Sequence, residues 1–237
     1  DIRLMGGVWK KIPITYTLMV IGTLALTGFP LLSGYYSKDA IIEFAYLKGS
    51  TVGYYSAAVG IFTALLTAIY SWRLIFKTFH GKYNNKNNKI TLIHESTLVM
   101  LIPTAILAVG AIFVGIAFKE TFIGMGSSEF WGQSILFLTK FNQEHPPSWL
   151  VVTTPTIVTL SIPVSYYLFI KNEKVLNTLI LKNKFIYNFL LNKWYFDELY
   201  KYIFIEPLKK LGLFFWKKGD INIIDRYGPD GISKIVK

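Results

Sequence analysis

A chain of 237 residues that is 52% hydrophobic and only 16% charged departs from soluble globular proteins, in which about 25% of residues carry charge. Its mean hydropathy of +0.41 likewise points to a lipid environment. The absence of cysteine excludes disulfide scaffolds, thiolate-held iron–sulfur clusters and the usual structural zinc sites. His80, His94 and His145 are scattered without metal-ligand spacing, so no metal site is expected. The net charge of +11 comes from lysines spread between apolar runs. With no nucleic-acid motif beside them, they read as topogenic charge and headgroup contacts, not as a nucleic-acid surface. The chain begins at Asp1 without Met and shows no secretory signal. It is read as a fragment of a longer protein.

Four charge-free runs are long enough to cross a bilayer: Ile12 to Ser37, Gly49 to Trp72, Ser96 to Phe118 and His145 to Ile170. A crossing helix needs about 20 predominantly apolar residues. The alternation that a lipid-facing barrel would need is missing. An all-α, polytopic transmembrane bundle is therefore expected. Residues 1–170 would form its membrane domain, with helices near 12–47, 49–79, 95–118 and 148–170.

The basic flanks alternate. Arg3, Lys10 and Lys11 precede the first run, and Arg73, Lys77, Lys82, Lys86 and Lys89 follow the second. Lys171, Lys174, Lys182 and Lys184 follow the fourth. Lys119 and Lys140, after the third, are offset by Glu120, Glu129 and Glu144. Basic residues collect on the inner side, so the start, the Lys82–Lys89 loop and the tail are placed inside. The segment from Lys119 to Pro147, with Phe130 and Trp131, reads as external and interfacial. From residue 171 onward, Leu176, Leu179, Ile180, Leu190, Leu191 and Trp194 recur at near-helical spacing among lysines and asparagines. That pattern predicts an amphipathic helix lying in the interface, with a turn at the Gly228–Gly231 stretch.

Apolar character continues past Ser37 to Leu47, interrupted by Lys38, Asp39 and Glu43. One helix from Ile12 to Leu47 would be about 54 Å long, against a hydrocarbon core of about 30 Å. Gly28 and Pro30 predict a break, since proline removes a backbone donor and clashes with the preceding turn. Lys38 follows eight residues later. Either it snorkels to the outer headgroups or it stays within the bundle. Inside, burial disfavours its charged form while the adjacent carboxylate favours it. An amine between those influences can load and unload a proton. Asp39 shares a helix face with Tyr35, Glu43 and Tyr46, a polar stripe on an otherwise greasy helix.

Other polar positions are weaker signals. Gly53, Ser56, Gly60, Thr63, Thr67 and Ser71 form one small, hydroxyl-bearing face. It reads as close packing, with a border on a water file, at Thr63 and Thr67, as the alternative. Arg73 reads as snorkelling. His94 and Glu95 begin the third run at the interface, with proton uptake at His94 as the second reading.

The stretch "MGGVWKKIPITYTLMVIGTLALTGFPLLSGYYSKDAIIE" (Met5 to Glu43) resembles the antiporter-like subunits of proton-pumping NADH:quinone oxidoreductase, respiratory complex I. "YSWRLIFKTFHG" (Tyr70 to Gly81) supports this, and "NKWYFDELY" with the later "GD" and "GPDG" narrows it to the subunit L, or chain 5, family. The resemblance implies the C-terminal part of a many-helix subunit with inverted repeats, each holding a discontinuous helix. Lys38 matches the family's proton-channel lysine and Asp39 its acidic neighbour. The tail matches the start of a long lateral helix whose anchoring helix is not in this sequence.

The function implied is proton translocation coupled to electron transfer from NADH to quinone in partner subunits. Flavin, iron–sulfur clusters and quinone would belong to those partners, with no cofactor in this chain. The partners implied are other antiporter-like subunits and the lipid bilayer. The location is a bacterial inner membrane, or alternatively the mitochondrial inner membrane. A cation/proton antiporter subunit without redox partner, and a remnant of an interrupted gene, are the alternatives.

Overall fold

The computed structural model describes residues 2, 5–81, 93–124, 126–134 and 145–236. Arg3, Lys82, Lys86, Lys89, Lys140 and Glu144, used above to orient the chain, lie outside them. The chain divides into two compact units, Asp1–Leu176 and Asn177–Lys237. The fold is all-α, with no strand among the described residues.

The first span is two helices. Helix α1 (Pro13–Thr27) opens on proline, where the missing N–H would have had no partner anyway. It ends before Gly28, whose φ of 79° is left-handed. The Phe29 N–H reaches the Leu24 carbonyl at 2.9 Å and the Gly28 N–H reaches Ala25 at 3.1 Å. This paired closure needs a left-handed residue at its corner, which glycine adopts without a Cβ penalty. Pro30 then prevents resumption until helix α2 (Ser33–Leu47). Each half has 15 residues and is about 22 Å long, so neither spans the core alone. The start of α2 lies directly against the end of α1. A methyl group on Gly34 would overlap the Ala25 carbonyl.

Three helices are long and apolar enough to cross: α3 (Thr51–Phe79), α4 (Leu98–Phe122) and the span Ser148–Lys171. That last span is α6 (Ser148–Tyr166) prolonged by a π turn, Tyr167–Lys171. Pro103 in α4 and Pro155 and Pro163 in α6 are tolerated because neighbouring groups in a bundle can satisfy freed carbonyls. Helix α3 is the centre. Its buried Ala57, Ala64 and Ala68 let neighbouring backbones approach closely. The short α5 (Ser127–Trp131) packs its rings on α4, with Phe122 and Phe130 centroids 4.7 Å apart and the Trp131 indole donating to the Phe122 carbonyl at 3.1 Å.

One end of the bundle is tied tightly. Glu95, just before α4, accepts hydrogen bonds from the Ile14 and Thr15 N–H groups at 3.0 and 3.2 Å and from the Thr15 hydroxyl. These are donors that a helix N-terminus leaves unpaired, and the carboxylate also suits the positive end of the helix dipole. The Tyr16 hydroxyl and His80 Nε2 lie 2.9 Å apart, and the His80 ring stacks on Trp9. Beneath them Val8, Trp72, Ile75, Phe76 and Phe79 form a buried apolar cluster. The start of α1, the end of α3 and the start of α4 thus share one end, as the alternating charge order requires.

The second unit is a series of helical pieces, not one rod. The chain passes through α7 (Glu173–Lys182), α8 (Lys184–Leu191) and a 3₁₀ turn, Lys193–Tyr195. In that turn three consecutive residues have positive φ, which breaks the helix axis. Helices α9 (Phe196–Tyr200) and α10 (Glu206–Phe214) follow, joined and extended by π segments, and α11 (Pro229–Val236) comes after a turn at Gly228. None of the described residues in this unit is buried.

The tied end has a definite pH sense. Burial lowers the proton affinity of His80. Its contribution is therefore complete above the ordinary histidine value of about 6.5 and is lost as pH falls through the lowered one. The Thr15 hydroxyl, with help from backbone N–H groups, lowers that of Glu95. Its contribution persists to more acid pH and is lost only as pH falls through a value below about 4.3. Hydrogen exchange at the Ile14 and Thr15 amides, corrected for intrinsic rate, should accelerate in two steps on acidification. His80→Gln should remove the upper step, and Glu95→Ala should leave both amides fast at every pH.

Candidate functional site

The Lys38 side chain turns back toward the break instead of outward. Its ammonium donates to the backbone carbonyl of Thr27, a residue with no exposed surface. The last carbonyls of a helix lack partners within it and form the negative end of its dipole. Two of these, Leu24 and Ala25, are used by the closing turn, while Thr27 receives the lysine. The site is shaped by Gly28 as well. A Cβ there would lie 2.8 Å from Lys38 Cε and 3.0 Å from Nζ. Glycine is needed at this position twice, for its backbone angle and for the space the amine fills.

Asp39 is 6% exposed, and neither carboxylate oxygen has a hydrogen-bond partner. Adjacent residues on a helix point about 100° apart, so proximity in sequence does not make Lys38 and Asp39 a hydrogen-bonded pair. A buried carboxyl without a protein donor is costly unless it takes a proton or a water.

Along the same face, Tyr35 packs edge-on to Tyr36, and Glu43 lies within electrostatic reach of Lys119 on α4. The Lys119 ammonium also sits 5.7 Å over the Tyr36 ring. Tyr46 goes elsewhere. Its ring meets Tyr54 at 5.0 Å and Trp149 at 5.7 Å, packed on the apolar cluster of Ile42, Ala57 and Leu150.

Thr63 and Thr67 line a cleft of about 420 Å³ between α2 and α3, together with Lys38, Ile42, Ser56 and Gly60. At about 30 Å³ per molecule, this space accommodates several waters. His94 is not part of it. It is exposed, with Nδ1 2.9 Å from the Glu95 carbonyl, beside the start of α1, while Lys38 sits at the end of α1, about 22 Å away along the axis. Thr27 and Lys119 escape the sequence reading. Every residue has a carbonyl, so nothing marks the one that seats an amine. Lys119 looks like any lysine closing a span. Among the described residues no group of His, Cys, Asp and Glu side chains could hold a metal ion.

The described residues thus form an all-α bundle with three helices long and apolar enough to cross a membrane and a first apolar run interrupted at Gly28–Pro30. Residues 70–237 match the family described as NADH dehydrogenase subunit 5 C-terminus, and residues 1–67 match that described as NADH:quinone oxidoreductase/Mrp antiporter, TM. The chain belongs to the NADH dehydrogenase subunit 5 C-terminal family.

It is 36% identical to NADH-ubiquinone oxidoreductase chain 5 of Phytophthora infestans, over 99% of this chain and 36% of that protein. It is also 36% identical to NADH-quinone oxidoreductase subunit L of Rickettsia bellii, over 100% of this chain and 37% of the relative. To NADH-ubiquinone oxidoreductase chain 5 of Arabidopsis thaliana it is 34% identical, over 98% and 36%. The chain thus spans little more than a third of the length of these curated relatives.

Gly28→Ala tests the site's geometry. The left-handed angle should cost about 1–2 kcal/mol, and the new methyl group should push the amine off Thr27. A lowered unfolding temperature of the membrane-inserted protein, together with altered chemical-labelling reactivity of Lys38, is the expected result.

Proposed function

We propose that this chain is part of a proton-translocating membrane subunit of NADH:quinone oxidoreductase, in which Lys38 takes up and releases the transported proton. The observation that carries the reading is the Lys38 ammonium bound to the Thr27 carbonyl at the α1–α2 break, beside a cleft large enough for water. When protonated, the amine is held by the carbonyl end of α1. When neutral, it loses most of that attraction and can exchange its partner for water. Protons arrive from the inner side through the opening at the Gly28–Pro30 break, and the cleft beside Lys38 holds the water that meets them. They leave outward along Asp39, Glu43 and Tyr35, with Lys119 placed to respond to the charge on Glu43.

Electron transfer from NADH to quinone occurs in partner subunits, which hold the flavin, iron–sulfur clusters and quinone. Charge changes there alter the proton affinity of Lys38. Other antiporter-like subunits and the bilayer are its neighbours, in a bacterial inner membrane or its mitochondrial counterpart. The second reading, a cation/proton antiporter subunit, is favoured by one observation, the match of residues 1–67 to a family description that includes the Mrp antiporter.

The test uses the full-length subunit in its assembled, reconstituted complex. Lys38→Ala should leave assembly and NADH binding intact while sharply lowering the number of protons moved per electron pair. An unchanged ratio would refute the assignment of Lys38. Sodium-dependent proton exchange by the intact parent protein, without an associated dehydrogenase, would select the antiporter reading.

A further inference from the structure

The seam between α3 and α6 contains polar atoms that the lysine site does not use. Helix α6 and its π turn bury a single stripe, Leu150, Thr154, Val158, Ser161, Ser165 and Phe169, and half of it carries hydroxyls. Ser161 returns its proton to the Val158 carbonyl at 2.6 Å. Ser165 is 0% exposed and its Oγ has no partner. On α3, Ser71 Oγ and Trp72 Nε1 are equally unpartnered, in residues only 5% exposed.

The two helices run parallel. Ala57 shares a cluster with Leu150, and further along Phe76 meets Tyr166 at 5.4 Å while Arg73 lies 5.9 Å over Phe169. The same register brings Ser71 and Trp72 level with Ser165. Three unpaired polar groups at one level of a lipid-surrounded seam have no bulk solvent to compensate them. A buried water typically makes about three hydrogen bonds to groups of this kind.

We propose that Ser71, Trp72 and Ser165 form an internal water site in the α3–α6 seam, joined to the Lys38 cleft along the row Thr63–Thr67–Ser71. The indole is a donor only, so it anchors the water by donating to its oxygen. The water's protons then go to the two serine oxygens. Ser71 lies four residues beyond Thr67 and Thr67 four beyond Thr63, which places all three along one side of α3. Both threonines line the Lys38 cleft. The Thr67 hydroxyl donates to the Thr63 carbonyl at 2.8 Å, and side chains four apart stand about 5–6 Å from one another, so a proton crosses this row through waters between the hydroxyls, each oxygen taking up one proton as it gives up another. The indole takes no part in the transfer. This extends the inner-side route of the function proposed above and rests on Lys38 being the proton carrier.

The experiment is X-ray radiolytic hydroxyl labelling of the full-length subunit in its assembled complex, read by mass spectrometry. Side chains touching bound water are oxidised even when closed to bulk solvent. Trp72 should be labelled in the native protein, and the label should be lost in Ser71→Ala and in Ser165→Ala, with fewer protons moved per electron pair in both. An unlabelled native Trp72 overturns the water site, whatever Lys38 does. Loss of the label with a native proton ratio overturns its link to the lysine. A labelled Trp72 with a native ratio in Lys38→Ala upholds the water site and removes the transport reading on which the link depends.

Discussion

A positively charged amine in an apolar bundle persists only where something of opposite polarity meets it. On insertion scales a lysine at the centre of a membrane helix costs about 2.5–3.5 kcal/mol. Here the compensation is a broken helix. By ending α1 at Gly28, the chain leaves carbonyls without helical partners, and the Lys38 ammonium caps one of them at Thr27. The remaining features follow from that contact. Gly28 lacks a side chain because the amine fills the space, and Gly34 lacks one because α2 must begin against the end of α1. Leu31, between them, has a φ of 73°, a left-handed conformation a bulky residue adopts only when its surroundings enforce it.

The two halves of the broken helix are secured far from the junction. Glu95 and the Tyr16–His80 pair hold the start of α1. Tyr46, Tyr54 and Trp149 pack around the last turns of α2. The irregular backbone lies between these two secured ends, around Pro30. The charged groups gather in the same place. Asp39 has no donor, Glu43 feels Lys119, and Lys38 is held by a dipole instead of an ion pair. The second unit contrasts with this site. Large apolar side chains such as Trp194, Phe204 and Trp216 are exposed there, as expected of a surface that meets lipid or other protein.

Much of this architecture is legible in the sequence. Long charge-free runs announce α3, α4 and α6, because transfer free energy adds up along a local window. The Gly28–Pro30 break is equally local, since it depends on the backbone chemistry of those residues alone. The amphipathic spacing after residue 171 predicts helix, but the kink at Lys193–Tyr195 is invisible, as Lys, Trp and Tyr are not residues that mark positive φ. Tyr46 shows the limit of periodicity. Spacing puts it on the face of Asp39, yet its ring turns to Tyr54 and Trp149, partners that come from other helices.

The sequence by itself determined the all-α apolar class, the place of the break and the family, all properties of contiguous residues. Tertiary structure alone decided where the Lys38 ammonium points, that Asp39 is buried without a donor, and that Glu95 caps a helix some eighty positions away. Those outcomes depend on which backbone carbonyl or side chain a neighbouring helix presents. That choice is made by packing, through contacts between segments whose separation along the chain carries no signal.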